Sequence, residues 1–87
     1  MKAYIYILKD QKGKFYIGST IDLERRLKQH TNGHTQTTRN MVKPTLVLKQ
    51  EVSTLPIARM VEMKIKKMKR KDYIEKIVAD GYIKLVG

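Results

Sequence analysis

Cysteine and tryptophan are absent from this sequence of 87 residues, and phenylalanine occurs only once. Without cysteine the chain can form neither a disulfide framework nor a thiolate metal site. Long apolar runs are also absent: Lys9 and Asp10 end the first one, and no segment approaches the roughly 20 apolar residues that span a bilayer. We therefore expect a soluble protein of the cytoplasm, associated with the nucleoid if its source is bacterial.

Acidic residues are scarce as well. Eight Asp and Glu stand against 19 Lys and Arg, which gives a net charge of +11 and a pI near 10.0. Such an excess favours a polyanionic partner, because binding neutralises phosphates and releases counterions. The alternative is a basic, soluble domain with no nucleic-acid role. A membrane surface is disfavoured, since no long helix pairs a Trp- or Phe-rich face with this charge.

The composition, 41% hydrophobic and 31% charged, is that of a globular protein, and the length suits one domain over residues 1–87. Segments rich in β-branched and aromatic residues predict three strands: 3–9, 15–18 and 44–51. The first two form a hairpin around Gly13. Capping residues and apolar periodicity predict three helices: from Thr20 or Asp22 to about 31, from Ser53 or Thr54 through the 60s, and 72–79. For the tail, residues 82–87, the sequence allows either a further strand or a segment that covers the core.

The stretch 15–30 carries the first chemical signal. After Tyr16 the strand is expected to turn at residues 18–20 and continue as a helix in which Leu23 and Leu27 form the apolar stripe. Arg26 and His30 lie one turn apart on one face of that helix. A phenol beside a guanidinium and an imidazole suits a phosphodiester, since the phenol can relay a proton while the cation holds phosphate oxygens.

The second helix carries an amphipathic stripe at helical spacing: Ile57, Val61, Ile65 and Met68. Glu62 lies roughly 100° from Val61 around the helix axis, at the margin of that stripe. Its carboxylate can therefore face a cleft without entering the core. Taken alone, Glu62 is better explained by pairing with Arg59 or Lys66 at helical spacing.

Basic residues concentrate in the run 64–71, which is either a solvated helix end or a ridge that contacts phosphates. A polar loop, 34–40, is typical of segments that touch ligand. From these two segments we predict six residues that contact nucleic acid: His34, Arg39, Lys66, Lys67, Lys69 and Arg70.

Taken in order, these features resemble the GIY-YIG endonuclease domain family, and in size its small stand-alone members. The first signature triplet is Tyr4-Ile5-Tyr6 and the second is Tyr16-Ile17-Gly18. Three further features match downstream: a helix over 19–30 with Arg26 and His30, Thr38-Arg39 followed by Lys43-Pro44, and the segment 58–62, which resembles the helix that carries the metal-binding glutamate, here Glu62. The resemblance implies a compact α+β domain, with a three-stranded antiparallel sheet flanked by helices.

The resemblance also implies metal-dependent hydrolysis of DNA phosphodiester bonds, leaving 5′-phosphate and 3′-hydroxyl ends. Glu62 would hold one Mg²⁺ or Mn²⁺ ion. Tyr6 or Tyr16 would be the general base or orient the attacking water, with the other tyrosine in support. Arg26 would stabilise the transition state, and His30 would assist proton transfer or hold the base. Structured or damaged DNA is the expected substrate, in repair or DNA processing, with no small-molecule cofactor.

Two departures from the family pattern keep alternatives open. Tyr4 stands where the namesake triplet has glycine, and no asparagine follows Asn40, although larger members often carry one beyond the metal helix. One alternative is therefore a nucleic-acid-binding module of the same fold that cleaves weakly. Another is a subunit of a larger nuclease assembly, which uses the basic helix for docking. Taken alone, each tyrosine would more often be a packing residue.

Overall fold

The computed structural model describes residues 2–31, 44–68 and 70–83, without the side chains of residues 30 and 31. Within these ranges six elements follow one another: β1 (Ala3–Lys9), β2 (Phe15–Thr20), α1 (Leu23–Thr31), β3 (Thr45–Val52), α2 (Leu55–Met68) and α3 (Lys71–Asp80). The strands form one antiparallel sheet in the order β2-β1-β3. The predicted α+β class is thereby confirmed.

A tight turn joins β1 to β2. The buried Asp10 carboxylate accepts hydrogen bonds through Oδ1 from the backbone N–H groups of Lys12 (3.0 Å) and Lys14 (2.7 Å). Gly13 adopts a φ of 84°, a conformation that L-residues with a Cβ rarely take. The predicted hairpin therefore forms around Gly13 as expected.

Both faces of the central strand β1 are buried. Ile5 and Ile7 point into the main core, which α2 and α3 cover. Tyr6 and Leu8 point to the opposite face, where Leu23 and other apolar side chains of α1 and β2 pack against them. Alternation along a strand determines which residues share a face, and β1 leaves neither face exposed because α2 and α3 pack on one side of the sheet and α1 packs on the other.

The second strand is longer than its sequence suggests. The turn predicted at residues 18–20 is wrong, because β2 continues to Thr20, which pairs with Tyr4. Gly18 pairs with Tyr6 inside the sheet. The chain turns only afterwards, where the Asp22 carboxylate accepts the N–H of Arg25 at 3.1 Å and caps α1.

The third strand begins and ends one residue later than predicted, and its pairing with β1 shifts register between Ile7 and Leu8. In α2, the Thr54 hydroxyl accepts the Ile57 N–H at 3.4 Å. The buried face of this helix contains Val61 and Ile65 as predicted, but Met68 is 43% exposed. The apolar periodicity of the sequence indicates which side of the helix faces the core, but it does not indicate how far along the helix the core extends.

Ile83, which lies beyond α3, belongs to the main core. Helix α3 ends at Gly81, whose φ is 79° and whose N–H reaches the carbonyls of Ile77 and Val78. Ile83 is buried beyond it, and the Gln50 side chain in β3 accepts the Ile83 N–H at 2.7 Å. Residues 84–87 lie outside the described part. Within the described ranges, none of the helices has the length and apolarity that crossing a bilayer requires.

Candidate active site

Two tyrosines meet on the α1 side of the sheet, one from β1 and one from β2. The ring centroids of Tyr6 and Tyr16 lie 6.2 Å apart at an interplanar angle of 41°. Tyr6 is only 1% exposed, whereas Tyr16 is half-buried. Gly18 makes this arrangement possible, because a Cβ at that position would lie 2.5 Å from Cζ of Tyr6 and closer still to its hydroxyl oxygen. The tyrosine ring thus lies directly over the glycine backbone.

The environment keeps the Tyr6 hydroxyl protonated. Burial is the main reason that its pKa lies well above the ordinary value of 10.0, since a phenolate loses its hydration there. Tyr16 raises this pKa further, through its charge when ionised and through a side-chain hydrogen bond. The Arg26 guanidinium acts in the opposite direction and lowers it, and Glu62 raises it slightly. A tyrosine with the ordinary pKa is already protonated at neutral pH, and the raised pKa extends this state to higher pH, so the Tyr6 hydroxyl can donate a hydrogen bond.

Glu62 reaches the edge strand β2 from α2. Its Oε1 accepts a hydrogen bond from the Ser19 hydroxyl at 2.5 Å, and its Oε2 accepts one from Nζ of Lys66 at 2.7 Å. The Glu62 side chain is 19% exposed, and that of Lys66 is 50% exposed. The carboxylate is therefore held near the protein surface and not in the core, as predicted from the position of Glu62 at the margin of the apolar stripe of this helix.

Lys66 also joins this carboxylate to the tyrosine pair. Its Nζ lies 5.7 Å from the centroid of the Tyr16 ring, within the range of a cation–π contact. Because β2 is an edge strand, an α2 side chain can pass around it and approach the ring from outside the sheet. Arg26 approaches from α1, half-buried and close enough to affect Tyr6. Two strands and two helices therefore contribute to one site.

Within the described residues, no cluster of three or more His, Cys, Asp or Glu side chains is present. A metal ion here would therefore depend on Glu62 as its protein carboxylate, with water and substrate oxygens completing the shell. Mg²⁺ commonly binds in this way, through one or two carboxylates together with substrate phosphates. The donor set fits such an ion, provided that it displaces the Lys66 ammonium from Oε2.

The structure brings together four of the five residues predicted to be catalytic: Tyr6, Tyr16, Arg26 and Glu62. The fifth, His30, lies in α1, and its side chain is outside the described part. Of the residues predicted to contact nucleic acid, Lys67 and Arg70 are exposed, and Arg70 pairs with Asp72 at 2.7 Å. His34, Arg39 and Lys69 lie outside the described residues.

Sequence reasoning missed the contact that Ser19 makes. The predicted turn placed this residue outside the sheet, whereas it pairs with Ile5 and shares the face that α2 covers. Extending the strand by two residues, with strict alternation, would have placed Ser19 opposite the second helix. Lys66 was predicted both as a partner of Glu62 and as a phosphate contact. The structure confirms the first of these.

These features define a class of protein: a small α+β domain with a tyrosine, arginine and glutamate site at the edge of its sheet. The family model described as the GIY-YIG catalytic domain matches residues 2–77. The chain belongs to the GIY-YIG family, and a GIY-YIG catalytic domain suggests nuclease activity. The nucleases of this family generally use divalent metal ions.

Its relatives are small proteins of similar extent. A UPF0213 protein of Streptococcus sanguinis is 37% identical over 70 residues, which cover 79% of this chain and 80% of that one. The UPF0213 protein YhbQ of Escherichia coli is 30% identical over 79 residues, covering 90% and 78%. The solution NMR structure of the UPF0213 protein BH0048 from Bacillus halodurans superposes with a TM-score of 0.59 at 29% identity, covering 93% and 87%. The chain is therefore similar to small stand-alone members of the family.

Proposed function

We propose that this protein is a metal-dependent endonuclease that hydrolyses DNA phosphodiester bonds and leaves 5′-phosphate and 3′-hydroxyl ends. The observation that carries the proposal is the convergence of Tyr6, Tyr16, Arg26 and Glu62 from four separate elements. Isolated packing or surface residues would have no reason to meet at one strand edge. Family membership and the net charge of +11 support a phosphate-containing substrate.

The two tyrosines have different roles in this proposal. Tyr6 is too buried to touch a water molecule or a phosphate, and its raised pKa keeps it protonated. Tyr6 therefore positions Tyr16. The half-buried Tyr16 orients the attacking water or accepts its proton. Arg26, which already opposes negative charge at the tyrosine pair, stabilises the charge that develops on the phosphate oxygens.

The reaction balances without any other co-substrate. Water attacks phosphorus, the bond between phosphorus and the 3′ oxygen breaks, and the released 3′ oxygen takes up a proton. Glu62 is the residue that would hold a divalent ion. When bound, such an ion supplies charge neutralisation at the phosphate and lowers the pKa of water. His30 remains predicted to assist proton transfer or to hold the base, and Lys67 and Arg70 remain predicted to contact the DNA backbone. Structured or damaged duplexes and a role in repair belong to the same proposal.

The test is cleavage of labelled single-stranded, duplex, nicked, flapped and branched DNA with Mg²⁺ or Mn²⁺. Glu62→Ala should abolish cutting, while Glu75→Ala, which removes the same charge from an exposed site on α3, should not. Arg26→Ala should slow cutting by about 10²-fold or more, and the neighbouring Arg25→Ala should have little effect. Cutting that survives Glu62→Ala, or that needs no metal, would contradict the proposal.

A second candidate function is a DNA-binding module that cleaves poorly. It is favoured by the engagement of both Glu62 oxygens, one by Ser19 and one by Lys66, which leaves the carboxylate internally neutralised. Such a module would bind DNA with a steep salt dependence and be indifferent to Glu62→Ala. Tight binding without cutting on every substrate of the panel would select this candidate.

A further inference from the structure

A second basic site lies away from the tyrosine pair, where the β1–β2 turn meets the start of α3. The structure has a depression of about 460 Å³ there, with Phe15 and Ile74 as apolar lining. We call it the basic depression, and four charged residues line it: Lys12, Lys14, Arg70 and Lys71. Gly13 brings the turn close to the helix, since a Cβ there would lie 3.3 Å from Nζ of Lys71.

Within residues 2–31, 44–68 and 70–83, three of these cations form no salt bridge with a carboxylate. Among the described residues, the salt bridges do not include Lys12, Lys14 or Lys71. The nearby Asp10 carboxylate is 5% exposed, does not line the basic depression and accepts backbone N–H groups of the turn. Arg70 is different, because Asp72 compensates its charge at 2.7 Å. Like charges brought together without a counterion repel one another, and a bound anion would remove that repulsion.

The basic depression continues the line of the candidate active site. Helix α2 runs alongside β2, so that Glu62 contacts Ser19 and Lys66 lies over the Tyr16 ring. Phe15, the first residue of β2, already lines the basic depression. Along β2, Tyr16 follows Phe15 directly, whereas Ser19 is four positions from Phe15, which corresponds to about 13 Å along a strand. One DNA strand advances about 3.4 Å per nucleotide along the duplex axis, so the basic depression lies within about four nucleotides of the candidate active site.

We propose that the basic depression binds a backbone phosphate of DNA within about four nucleotides of the phosphodiester held at the candidate active site. Lys12, Lys14 and Lys71 make the contact, which positions the duplex and carries no sequence information. The inference rests on the proposed function, because it takes DNA as the ligand and the tyrosine pair as the cutting centre. It adds a second point of attachment, which fixes the direction of the strand across the domain.

The test measures binding without cutting. The affinity of the full chain for a labelled 24-base-pair duplex is followed by fluorescence anisotropy in EDTA, over a series of NaCl concentrations. The triple variant Lys12→Gln, Lys14→Gln, Lys71→Gln should bind at least tenfold more weakly at low salt. Its plot of log affinity against log salt should be less steep by about 2 to 3, since each lost phosphate contact removes about 0.9 from the slope.

The matched control removes the same charge elsewhere. Lys2→Gln, Lys28→Gln, Lys76→Gln changes three exposed lysines, none of which lines the basic depression or the candidate active site. Its slope should change by less than 1. Equal slopes and affinities in the two triple variants would overturn the inference, and so would failure of the wild-type chain to bind the duplex.

Circular dichroism shows whether the triple variant folds. If it does not, amide NMR shifts of the wild-type protein are followed as the duplex is added. Movement of Gly13 and Ile74 supports the inference, and shifts confined to the surroundings of Tyr16 overturn it. Because no divalent metal is present, these outcomes do not depend on hydrolysis. A protein that binds through the basic depression but never cuts DNA would refute the proposed function alone.

Discussion

The contact between Gly18 and Tyr6 leads to a quantitative prediction for Gly18→Ala. The added Cβ would lie 2.5 Å from Cζ of Tyr6, whereas carbon atoms pack best at about 3.5–4.0 Å. The ring must therefore retreat by about 1 Å, although Tyr6 is fully buried. Overpacking of this kind costs about 1–3 kcal/mol. The gain in strand propensity returns at most about 0.5–1 kcal/mol.

We expect a net loss of about 0–2.5 kcal/mol in the free energy of unfolding, with a central value of about 1 kcal/mol. For a domain of this size, each kcal/mol lowers the Tm by about 4–8 °C. Thermal unfolding followed by circular dichroism measures the shift. DNA cleavage should fall as well, because the displaced Tyr6 ring no longer positions Tyr16.

A double-mutant cycle tests the cause. In a Tyr6→Ala background the obstructing ring is gone, so Gly18→Ala should cost nothing or stabilise slightly. The comparison variant is Gly81→Ala, where the residue adopts a φ of 79° and an added Cβ meets nothing within 4 Å. Its cost is backbone strain of about 1 kcal/mol, and it should not depend on Tyr6. An equal penalty for Gly18→Ala in both backgrounds would refute the steric argument.

Three further predictions concern other contacts. Because burial raises the pKa of Tyr6 above its unfolded value near 10, this group's stabilisation is complete below pH 10 and is lost as pH rises further. Ultraviolet titration should accordingly show one late-ionising tyrosine, which Tyr6→Phe removes and the exposed Tyr82→Phe retains. Gln50→Ala should cost about 1–2 kcal/mol and accelerate hydrogen exchange at the Ile83 amide, and unchanged exchange would refute the role of this side chain. Asp10→Ala should cost about 1–2 kcal/mol in urea unfolding by leaving two turn N–H groups without their acceptor, while an equal loss in Asp10→Asn would contradict that cause.

Much of the architecture could be predicted from local patterns. The β-branched segment 3–9, the apolar repeat of Val61 and Ile65, and the Gly81 stop signal each depend on residues close together in sequence. The predictions failed where a distant residue decided the outcome. Gly18 has the local signature of a turn, yet it lies within β2, where it pairs with Tyr6, twelve positions away. A glycine is needed there because the Tyr6 ring occupies the space that a Cβ on residue 18 would fill.

The candidate site divides in the same way. The sequence alone determined the residue types, their order and the basic charge, and these were sufficient to suggest the family. Only the tertiary structure decided that Tyr6 is buried while Tyr16 remains accessible, that Ser19 meets Glu62, and that Lys66 neutralises the carboxylate. The physical reason is that strand order and register determine which side chains approach one another. Both depend on long-range pairing and packing, which no short segment specifies.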